Sequence, residues 1–342
     1  MSTAHNGPTL ESVAAAAGVS RQTVSNVLNA PERVAPATRA RVEAVIRAMN
    51  YRPNRVARSL RTRATRLLGY QVRPTPAGTL NPVLDRFVHA VTDTAAEHGF
   101  HLLVFAATGD TDGLEQYAEL LGQRAVDGFI LTDTVVGDPR HAWLAERRVP
   151  FVSFGRTWRE AEPGPWVDVD GAAGTAEAVA HLHALGHRRV AYLGWPAGSG
   201  VGDDRLAGYH AACERLGIVP RVVRAEQSME QGREGAAALL AEPHPPTALV
   251  CVSDLCAYGA LRAVAERGLR PGRDVAVVGF DDTPAAGLPG IELTSVAQPI
   301  EAAGRMAVRL LLSRLGVLES PEPSMSCLLR PSLTVRASTA PS

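Results

Sequence analysis

A polar stretch near the N-terminus carries side-chain types that can read DNA bases. It runs GVSRQTVSNVLN over residues 18–29 and contains no acidic residue. Gln can form two hydrogen bonds with adenine and Arg two with guanine, each pair worth about 1 to 3 kcal/mol of discrimination, while Ser and Thr suit phosphates or either base. In a helix the outward-facing side chains, which are candidate DNA contacts, are Arg21, Gln22, Ser25 and Asn26.

Helix signals around this stretch predict a helix-turn-helix. Thr9 is suited to cap a first helix that ends at Gly18, since glycine adopts the left-handed conformation cheaply. Ser20 is suited to cap a second helix, and a third is predicted from about residue 36 to residue 49. Such a motif places its second helix in the DNA major groove. The alternative is a small helical cap docked on the rest of the chain. The inner face of the second helix is formed by Val24, Val27 and Leu28.

Charge is unevenly distributed along the chain. The formal net charge is zero, but residues 1–66 hold eleven arginines and three glutamates, which gives +8 there and −8 in the remainder. A basic segment on an acidic body is typical of a protein whose basic part binds a polyanion. Together with the helix pattern, this favours double-stranded DNA as the partner.

Length and composition bound the other possibilities. The 342 residues, 46% of them hydrophobic, suffice for two or three units with real cores. We expect a cytoplasmic protein with no membrane contact, because signal-peptide features are missing and no apolar run approaches about 18 residues. No cofactor and no metal are expected. The cysteines, which lack metal-ligand spacing, are predicted packing residues: Cys213, Cys251, Cys256 and Cys327.

The N-terminal sequence resembles the signature of the LacI family of bacterial transcriptional repressors. The resemblance covers TLESVAAAAGVSRQTVSNVLN and RVAPATRARVEAVIRAMNYRPNRVARSL. It implies that Arg21, Gln22 and Asn26 are the variable base readers. It also implies that Ala57 and Leu60 of a hinge helix enter the minor groove, with Leu60 as a wedge that unstacks base steps. The predicted DNA-contacting residues are Thr9, Ser20, Arg21, Gln22, Thr23, Ser25, Asn26, Asn29, Asn54, Arg55, Ala57 and Leu60.

The hinge segment indicates a homodimer. A helix of about eight residues is too short to be stable alone in water, so it is expected to fold against a second copy and the DNA groove. The arginines of this segment would neutralise phosphates. A disordered basic linker remains the alternative when DNA is absent. No leucine heptad ends the chain, so we expect a dimer rather than a tetramer.

From Leu67 onward the pattern changes to short apolar runs that alternate with amphipathic helices. This alternation predicts parallel βαβ units. The rhythm breaks once, at the polar stretch RTWREAEPGPW, and a second series then begins. The sequence therefore predicts two similar α/β sheets with a ligand cleft between them.

This part also resembles the family's effector core, which shares the periplasmic sugar-binding fold. The landmarks include AVDGFILT, VPFVSFGR, HLHALGHRRVAYLGW and DVAVVGFDD. The implied architecture is an N-terminal all-α helix-turn-helix domain plus a two-lobed α/β core of the periplasmic-binding-protein type. The predicted domains are 1–52 for DNA binding, 53–66 for hinge and linker, and 67–342 for the core, with an N-subdomain of 67–166 and 297–326 and a C-subdomain of 167–296 and 327–340.

Polar and aromatic side chains follow the predicted strands, where open α/β sheets bind ligands. A guanidinium and a carboxylate can bond vicinal hydroxyls, and aromatic faces can stack on sugar rings, which favours a sugar or glycoside as effector. The family resemblance assigns contacts to Arg205 and Asp281, whereas Ser253 departs from the family's frequent Asn. Alternatively, Arg156 pairs with a carboxylate, and Trp158 and Trp166 fill the seam between lobes. The candidate effector contacts are Thr132, Asp133, Arg156, Trp195, Arg205, Ser253, Phe280 and Asp281.

The remaining motifs argue against an enzyme. The chain contains no GxSxG, HExxH or GxxxxGK[ST] motif. His187 is interpreted as a turn residue rather than a catalyst. The alternative interpretation of the core is a solute-binding protein of a sugar transport system. Such a protein would begin with a signal peptide, whereas this sequence has the predicted DNA-binding domain at that position. We predict a sequence-specific regulator, most readily a repressor.

Overall fold

The computed structural model describes residues 8–51, 64–73, 81–106, 113–158, 164–319 and 326–339. The chain divides between Thr65 and Arg66 into two compact units, which we describe separately. In the described part of the chain, no helix is both long and apolar enough to cross a membrane.

The first unit is a three-helix bundle formed by α1 (Leu10–Ala17), α2 (Arg21–Asn29) and α3 (Pro36–Ala48). Thr9 caps α1 by accepting a 3.1 Å hydrogen bond from the Ser12 amide, and Gly18 ends that helix with φ of 63°. Ser20 caps α2 in the same way through the Thr23 amide. The predicted helix-turn-helix is thus confirmed. Its core consists of Val13, Ala14, Ala17, Val24, Val27, Val42 and Tyr51.

The second unit alternates strands and helices in chain order. Its strands are β1 (Leu67–Val72), β2 (His101–Ala106), β3 (Gly128–Leu131), β4 (Phe151–Phe154), β5 (Trp166–Val169), β6 (Val190–Gly194), β7 (Val222–Arg224), β8 (Ala248–Cys251), β9 (Ala276–Asp281), β10 (Thr294–Ala297), β11 (Ser326–Leu329) and β12 (Ser332–Thr334). Its helices are α4 (Pro82–Glu97), α5 (Leu114–Gly122), α6 (Pro139–Glu146), α7 (Gly171–Ala184), α8 (Gly200–Leu216), α9 (Met229–Leu240), α10 (Asp254–Glu266) and α11 (Ile300–Arg314).

These strands form two six-stranded sheets, which confirms the prediction of two similar sheets. The first sheet has the order β11-β5-β4-β3-β1-β2 with every pair parallel, and the second has the order β12-β10-β9-β8-β6-β7 with only β12 antiparallel. We call the parts built on them the first lobe and the second lobe. Each lobe is a parallel α/β layer, which confirms the predicted fold class.

The predicted subdomain boundaries need correction. The prediction placed residues 167–169 and 327–329 in the C-subdomain, but Val167 pairs with Phe154 of β4, and β11 runs beside β5. The prediction also placed Ala297 in the N-subdomain, although it pairs with Asp281 in the second sheet. The boundaries shift because all residues of a strand form hydrogen bonds within one sheet, so the chain crosses to the other sheet only after the strand has ended.

Both faces of the first sheet are covered. Alternate residues of β3 point to opposite sides, so Ile130 packs with α4 and α11 while Phe129 and Leu131 pack with α5 and α6. The second lobe has one continuous core, which includes three of the cysteines, Cys213, Cys251 and Cys256. None of the four cysteines forms a disulfide. The predicted packing role is therefore confirmed for these three.

Close helix contact in the second lobe predicts a cost for one added methyl group. A Cβ at Gly259 of α10 would overlap the Met229 carbonyl oxygen at the start of α9. We expect Gly259→Ala to lower the free energy of unfolding by about 1 to 3 kcal/mol, because backbone cannot yield as a flexible side chain does. Gly122→Ala, at a helical position with nothing within 4 Å, is the control and should be neutral or stabilising. Equal urea midpoints for the two variants would contradict this.

Candidate functional site

The outward face of α2 presents the polar side chains that the sequence singled out. Arg21, Gln22 and Asn29 are exposed, and Ser25 and Asn26 are partly exposed. Gln22 Nε2 donates a 3.0 Å hydrogen bond to Asn26 Oδ1, so these two amides form one polar group on consecutive turns. This face can supply both donors and acceptors to base edges.

Arg21 is held by a neighbour in this structure. Its Nη1 lies 2.7 Å from Glu11 Oε1 of α1, and both side chains are largely exposed. An exposed ion pair contributes only about 0 to 1 kcal/mol, so a guanine or phosphate can replace Glu11 at low cost.

Three predicted DNA contacts also have structural roles. Thr9 and Ser20 cap α1 and α2, and the hydroxyls of Ser20 and Thr23 lie 2.9 Å apart. Four others, Asn54, Arg55, Ala57 and Leu60, lie outside the described residues.

A cavity of about 250 Å³ lies between the lobes of the second unit, at the carboxyl ends of the strands. That is close to the lower end of the range of about 300 to 1,000 Å³ occupied by small-molecule sites. The first lobe contributes Asp133 after β3 and Gly155 after β4, and the second contributes Trp195 after β6 and Asp281 at the end of β9. The strand-end placement predicted for the ligand cleft is therefore what the structure has.

Arg205 and Asp281 form a buried polar centre in the second lobe. Arg205 lies in the second turn of α8, and its Nη1 is 2.5 Å from the Val252 carbonyl oxygen, to which it donates, and 3.5 Å from Asp281 Oδ1. The guanidinium lies 3.7 Å from the centre of the Phe280 ring. Gln298 Nε2 donates a 2.6 Å hydrogen bond to Asp281 Oδ1.

The pKa of the Asp281 carboxyl lies near neutral pH. Burial raises this pKa to about 7. The charge of Arg205 lowers it, and the nearby charge of Asp254 opposes that effect. The backbone of Asp281 has φ of 112°, a conformation that favours glycine. A strained, half-buried carboxyl at a cavity wall is typical of a functional position.

Arg156 forms a second polar centre, which joins the two lobes. Its Nε lies 2.7 Å from Asp168 Oδ2 of β5, and its Nη2 lies 3.4 Å from Asp204 Oδ2 of α8. The guanidinium also lies 4.0 Å from the ring centre of Trp158. The alternative that Arg156 pairs with a carboxylate is thus what the structure shows, although both of its partners line the cavity.

Trp158 connects the lobes as well as lining the cavity. A Cβ added at Gly200, the first residue of α8, would overlap its indole ring. The seam-filling interpretation therefore fits Trp158. Because the ring is also part of the cavity wall, it presents an aromatic surface to a ligand.

The structure separates the predicted effector contacts into two groups. The cavity wall includes Asp133, Trp195, Arg205 and Asp281. Arg156 is not itself part of the wall but forms ion pairs with two of its residues, Asp168 and Asp204. Three others do not line this cavity: Thr132, Ser253 and Phe280, each no more than 2% exposed. Thr132 lines the adjoining cavity.

Each of these three side chains is occupied elsewhere. Thr132 donates a 3.4 Å hydrogen bond to the Tyr70 hydroxyl, and Ser253 caps α10. The prediction that Phe280 offers a free face to a sugar ring is wrong, because Arg205 covers that ring. An aromatic residue at a strand end can face either the cavity or the core, and its place in the sequence does not decide which.

Sequence reasoning missed several residues of the cavity wall. Two signals were present in the sequence: Gln298 directly follows the strand pattern of β10, and Asp204 immediately precedes Arg205. Asp168 lies within β5, where it had no strand-end signal. Asn81 caps α4 and had no strand signal. The interpreted turn position of His187 is confirmed, since its Nδ1 lies 2.9 Å from Thr247 Oγ1 after the end of α7.

Comparison with known proteins identifies the family. Residues 9–54 match the profile of bacterial regulatory proteins of the lacI family, and residues 179–339 match a periplasmic binding protein-like domain. The HTH-type transcriptional regulator CelR of Thermobifida fusca is 35% identical over 336 residues, which is 97% of this chain and 98% of CelR. The chain belongs to the LacI family of bacterial regulatory proteins.

Solved structures of LacI-family proteins share the architecture described above. The lac repressor dimer bound to operator and the anti-inducer ONPF is 32% identical, with a TM-score of 0.82 over 98% of this chain and 100% of that one. A CelR–cellobiose complex is 33% identical, with a TM-score of 0.72 over 97% and 99%. This LacI-family protein is therefore a transcriptional regulator, and CelR and the lac repressor are likewise regulators rather than enzymes.

Proposed function

We propose that this LacI-family regulator is a repressor that binds a pseudo-palindromic operator as a homodimer and releases it when a sugar or glycoside fills the cleft. The observation that carries the proposal is the pairing of a helix-turn-helix with an interlobe cavity walled by Arg205, Asp281 and two tryptophans.

The DNA half of the proposal rests on α2. Gln22 and Asn26 present amide groups outward, Arg21 lies beside them, and residues 1–66 carry +8. Two copies would place two such helices in successive major grooves about 34 to 36 Å apart. Asn54, Arg55, Ala57 and Leu60 would add the minor-groove and phosphate contacts that the family resemblance implies.

The effector half rests on hydrogen-bond chemistry. Asp281, Asp204 and Asp168 accept from hydroxyls, and Arg205 has a buried Nε without a hydrogen-bond acceptor in the described structure. A polyhydroxyl ligand supplies donors and acceptors together, and the faces of Trp158 and Trp195 suit sugar rings. Cellobiose, which is bound in the CelR complex, is the first probe to use.

Coupling between effector and operator is expected to be about 1 to 3 kcal/mol, which is about a 5- to 150-fold change in operator affinity. If the protein is instead a corepressor-dependent regulator, the same sugar would tighten operator binding. The sign of the change therefore distinguishes induction from corepression.

Selection of duplexes from a random library, followed by binding measurements, tests the DNA half. We expect one enriched pseudo-palindrome whose affinity falls steeply with salt. Gln22→Ala should weaken operator binding by about 1 to 3 kcal/mol, through the loss of discrimination at one base position of each half-site. Gln123→Ala, on an exposed turn of the second unit, should leave operator binding unchanged. Absence of any sequence preference at moderate ionic strength would refute the repressor assignment.

A further inference from the structure

The cavity between the lobes has an excess of negative charge. Two guanidiniums, Arg156 and Arg205, are set against four carboxylates, which leaves a formal charge of −2. If Asp281 takes up a proton, the excess is −1. No histidine lines the cavity in the described part of the chain. The four carboxylates are Asp133, Asp168, Asp204 and Asp281.

Both guanidiniums are already neutralised by the protein. Arg156 lies between Asp168 at 2.7 Å and Asp204 at 3.4 Å. Arg205 is bonded to the Val252 carbonyl oxygen and lies 3.5 Å from Asp281. A phosphate or carboxylate on a ligand could still accept from Arg205 Nε, but it would then share that guanidinium with the carboxylate of Asp281.

Among the four carboxylates, Asp133 forms no ion pair with a cation of the described residues, and its side chain is exposed at the cavity. The charges of Arg73 and Arg140 act on it only from beyond ion-pair distance. Its position is fixed through its backbone, because Arg140 Nη2 donates to the carbonyl oxygens of Thr132 at 2.8 Å and Asp133 at 3.4 Å. Asp133 therefore presents a fixed negative charge to whatever occupies the cleft.

A second cavity adjoins this one, and its lining residues do not change the negative sign of the net charge. It shares Asn81, Asp133 and Thr134 with the first and adds one cation, Arg73, and one carboxylate, Asp85. A ligand long enough to enter both cavities would still meet a formal charge of −2.

We propose that the cleft selects uncharged saccharides and rejects their anionic derivatives, such as sugar phosphates and uronic acids, and that Asp133 is the residue that sets this selection. The inference rests on the proposed sugar effector and narrows it. Hydroxyls donate to this carboxylate, whereas an anionic group is repelled by its charge.

Two near-isosteric disaccharides test the charge selection on the full-length protein by calorimetry. Cellobiose is neutral, and in cellobiouronic acid a carboxylate replaces one C6 hydroxymethyl group. We expect the uronate to bind at least tenfold more weakly at low salt. Raising the salt from about 50 to about 500 mM should narrow the ratio of the two dissociation constants, because screening weakens the repulsion.

Matched variants locate the effect. Asp133→Asn should lower the ratio of the uronate's dissociation constant to that of cellobiose at least threefold. Asp93→Asn, which makes the same change of charge on the exposed surface of α4, should leave this ratio unchanged. An unchanged ratio in Asp133→Asn would overturn the role of that residue. If the variant does not fold, the salt series on the wild-type protein still decides the charge selection.

A thermal-shift panel of neutral sugars and their phosphates, uronates and aldonates separates this inference from the proposed function. Stabilisation by neutral members alone supports both. Stabilisation mainly by anionic members overturns the charge selection and leaves a sugar-responsive regulator. No stabilisation by any member overturns the sugar effector and the charge selection together.

Discussion

Arg140→Met is expected to lower the free energy of unfolding of the second unit by about 3 to 5 kcal/mol, because it leaves a buried carboxylate without its cation. Arg140 is 1% exposed and Asp138 is 3% exposed, and their closest atoms, Nη2 and Oδ2, are 2.6 Å apart. Arg140 also donates to Gln71 Oε1 at 3.1 Å and to the Thr132 carbonyl oxygen. One guanidinium therefore satisfies three buried acceptor groups.

The same pair gives this prediction a pH signature. Burial alone would raise the pKa of Asp138, but the nearby His141 ring, the hydrogen bonds from Arg140 and the charge of Arg140 hold that pKa well below its usual range. A lowered pKa contributes stability above the unfolded value near 4, and this contribution is lost as pH falls toward the folded pKa. The difference in free energy of unfolding between the wild type and Arg140→Met should therefore be largest near pH 7 and become smaller below pH 4.

Urea unfolding of three variants measures the effect. Arg309→Met, at an exposed position on α11, is the matched control and should change stability by less than about 0.5 kcal/mol. A double variant, Arg140→Met with Asp138→Leu, should recover much of the loss, because it removes the orphaned charge. A loss below about 1 kcal/mol in Arg140→Met would mean that Asp138 finds water or another donor.

Local features of this chain were predictable from the sequence. Thr9, Ser20 and Gly18 act through hydrogen bonds and backbone angles within a few residues, so the helix ends followed from residue type and position. The alternation of strands and helices likewise predicted two parallel sheets. Because ligands bind at the carboxyl ends of such strands, the positions of Asp133, Trp195 and Asp281 directly after apolar runs were enough to assign them to the cleft.

Non-local pairing was not predictable in the same way. Arg156 and Asp204 are 48 positions apart and meet only because the two lobes face each other. Arg140 follows a proline at the start of a short amphipathic helix, where an arginine would ordinarily be solvated, and only the packing of that helix against the first sheet buries it. The boundary error at β5 has the same origin, since the partner strand decides where a strand ends.

Asp281→Asn is expected to weaken binding of the proposed sugar effector, with cellobiose as the probe, about 100-fold at pH 8, because the amide cannot replace a charged acceptor that is half-buried beside Arg205. Asn tolerates the left-handed backbone region better than most residues, so the variant should keep the fold at φ of 112°. Gln298 and Arg205 would retain an acceptor in the Asn side-chain oxygen. The loss should therefore appear in effector affinity rather than in stability.

The wild-type protein should show a pH dependence that this variant lacks. Burial raises the pKa of Asp281 to about 7, and a ligand hydroxyl that donates to the carboxylate stabilises its ionised form. Binding then lowers that pKa and releases a proton, so affinity rises with pH and should be about tenfold weaker at pH 6 than at pH 8. Calorimetry in buffers of different ionisation enthalpy would detect the released proton. If the variant kept the wild-type pH profile, another group would carry the titration, and the candidate is Asp254, a buried carboxyl whose charge acts on Asp281 and whose pKa burial raises to about 6.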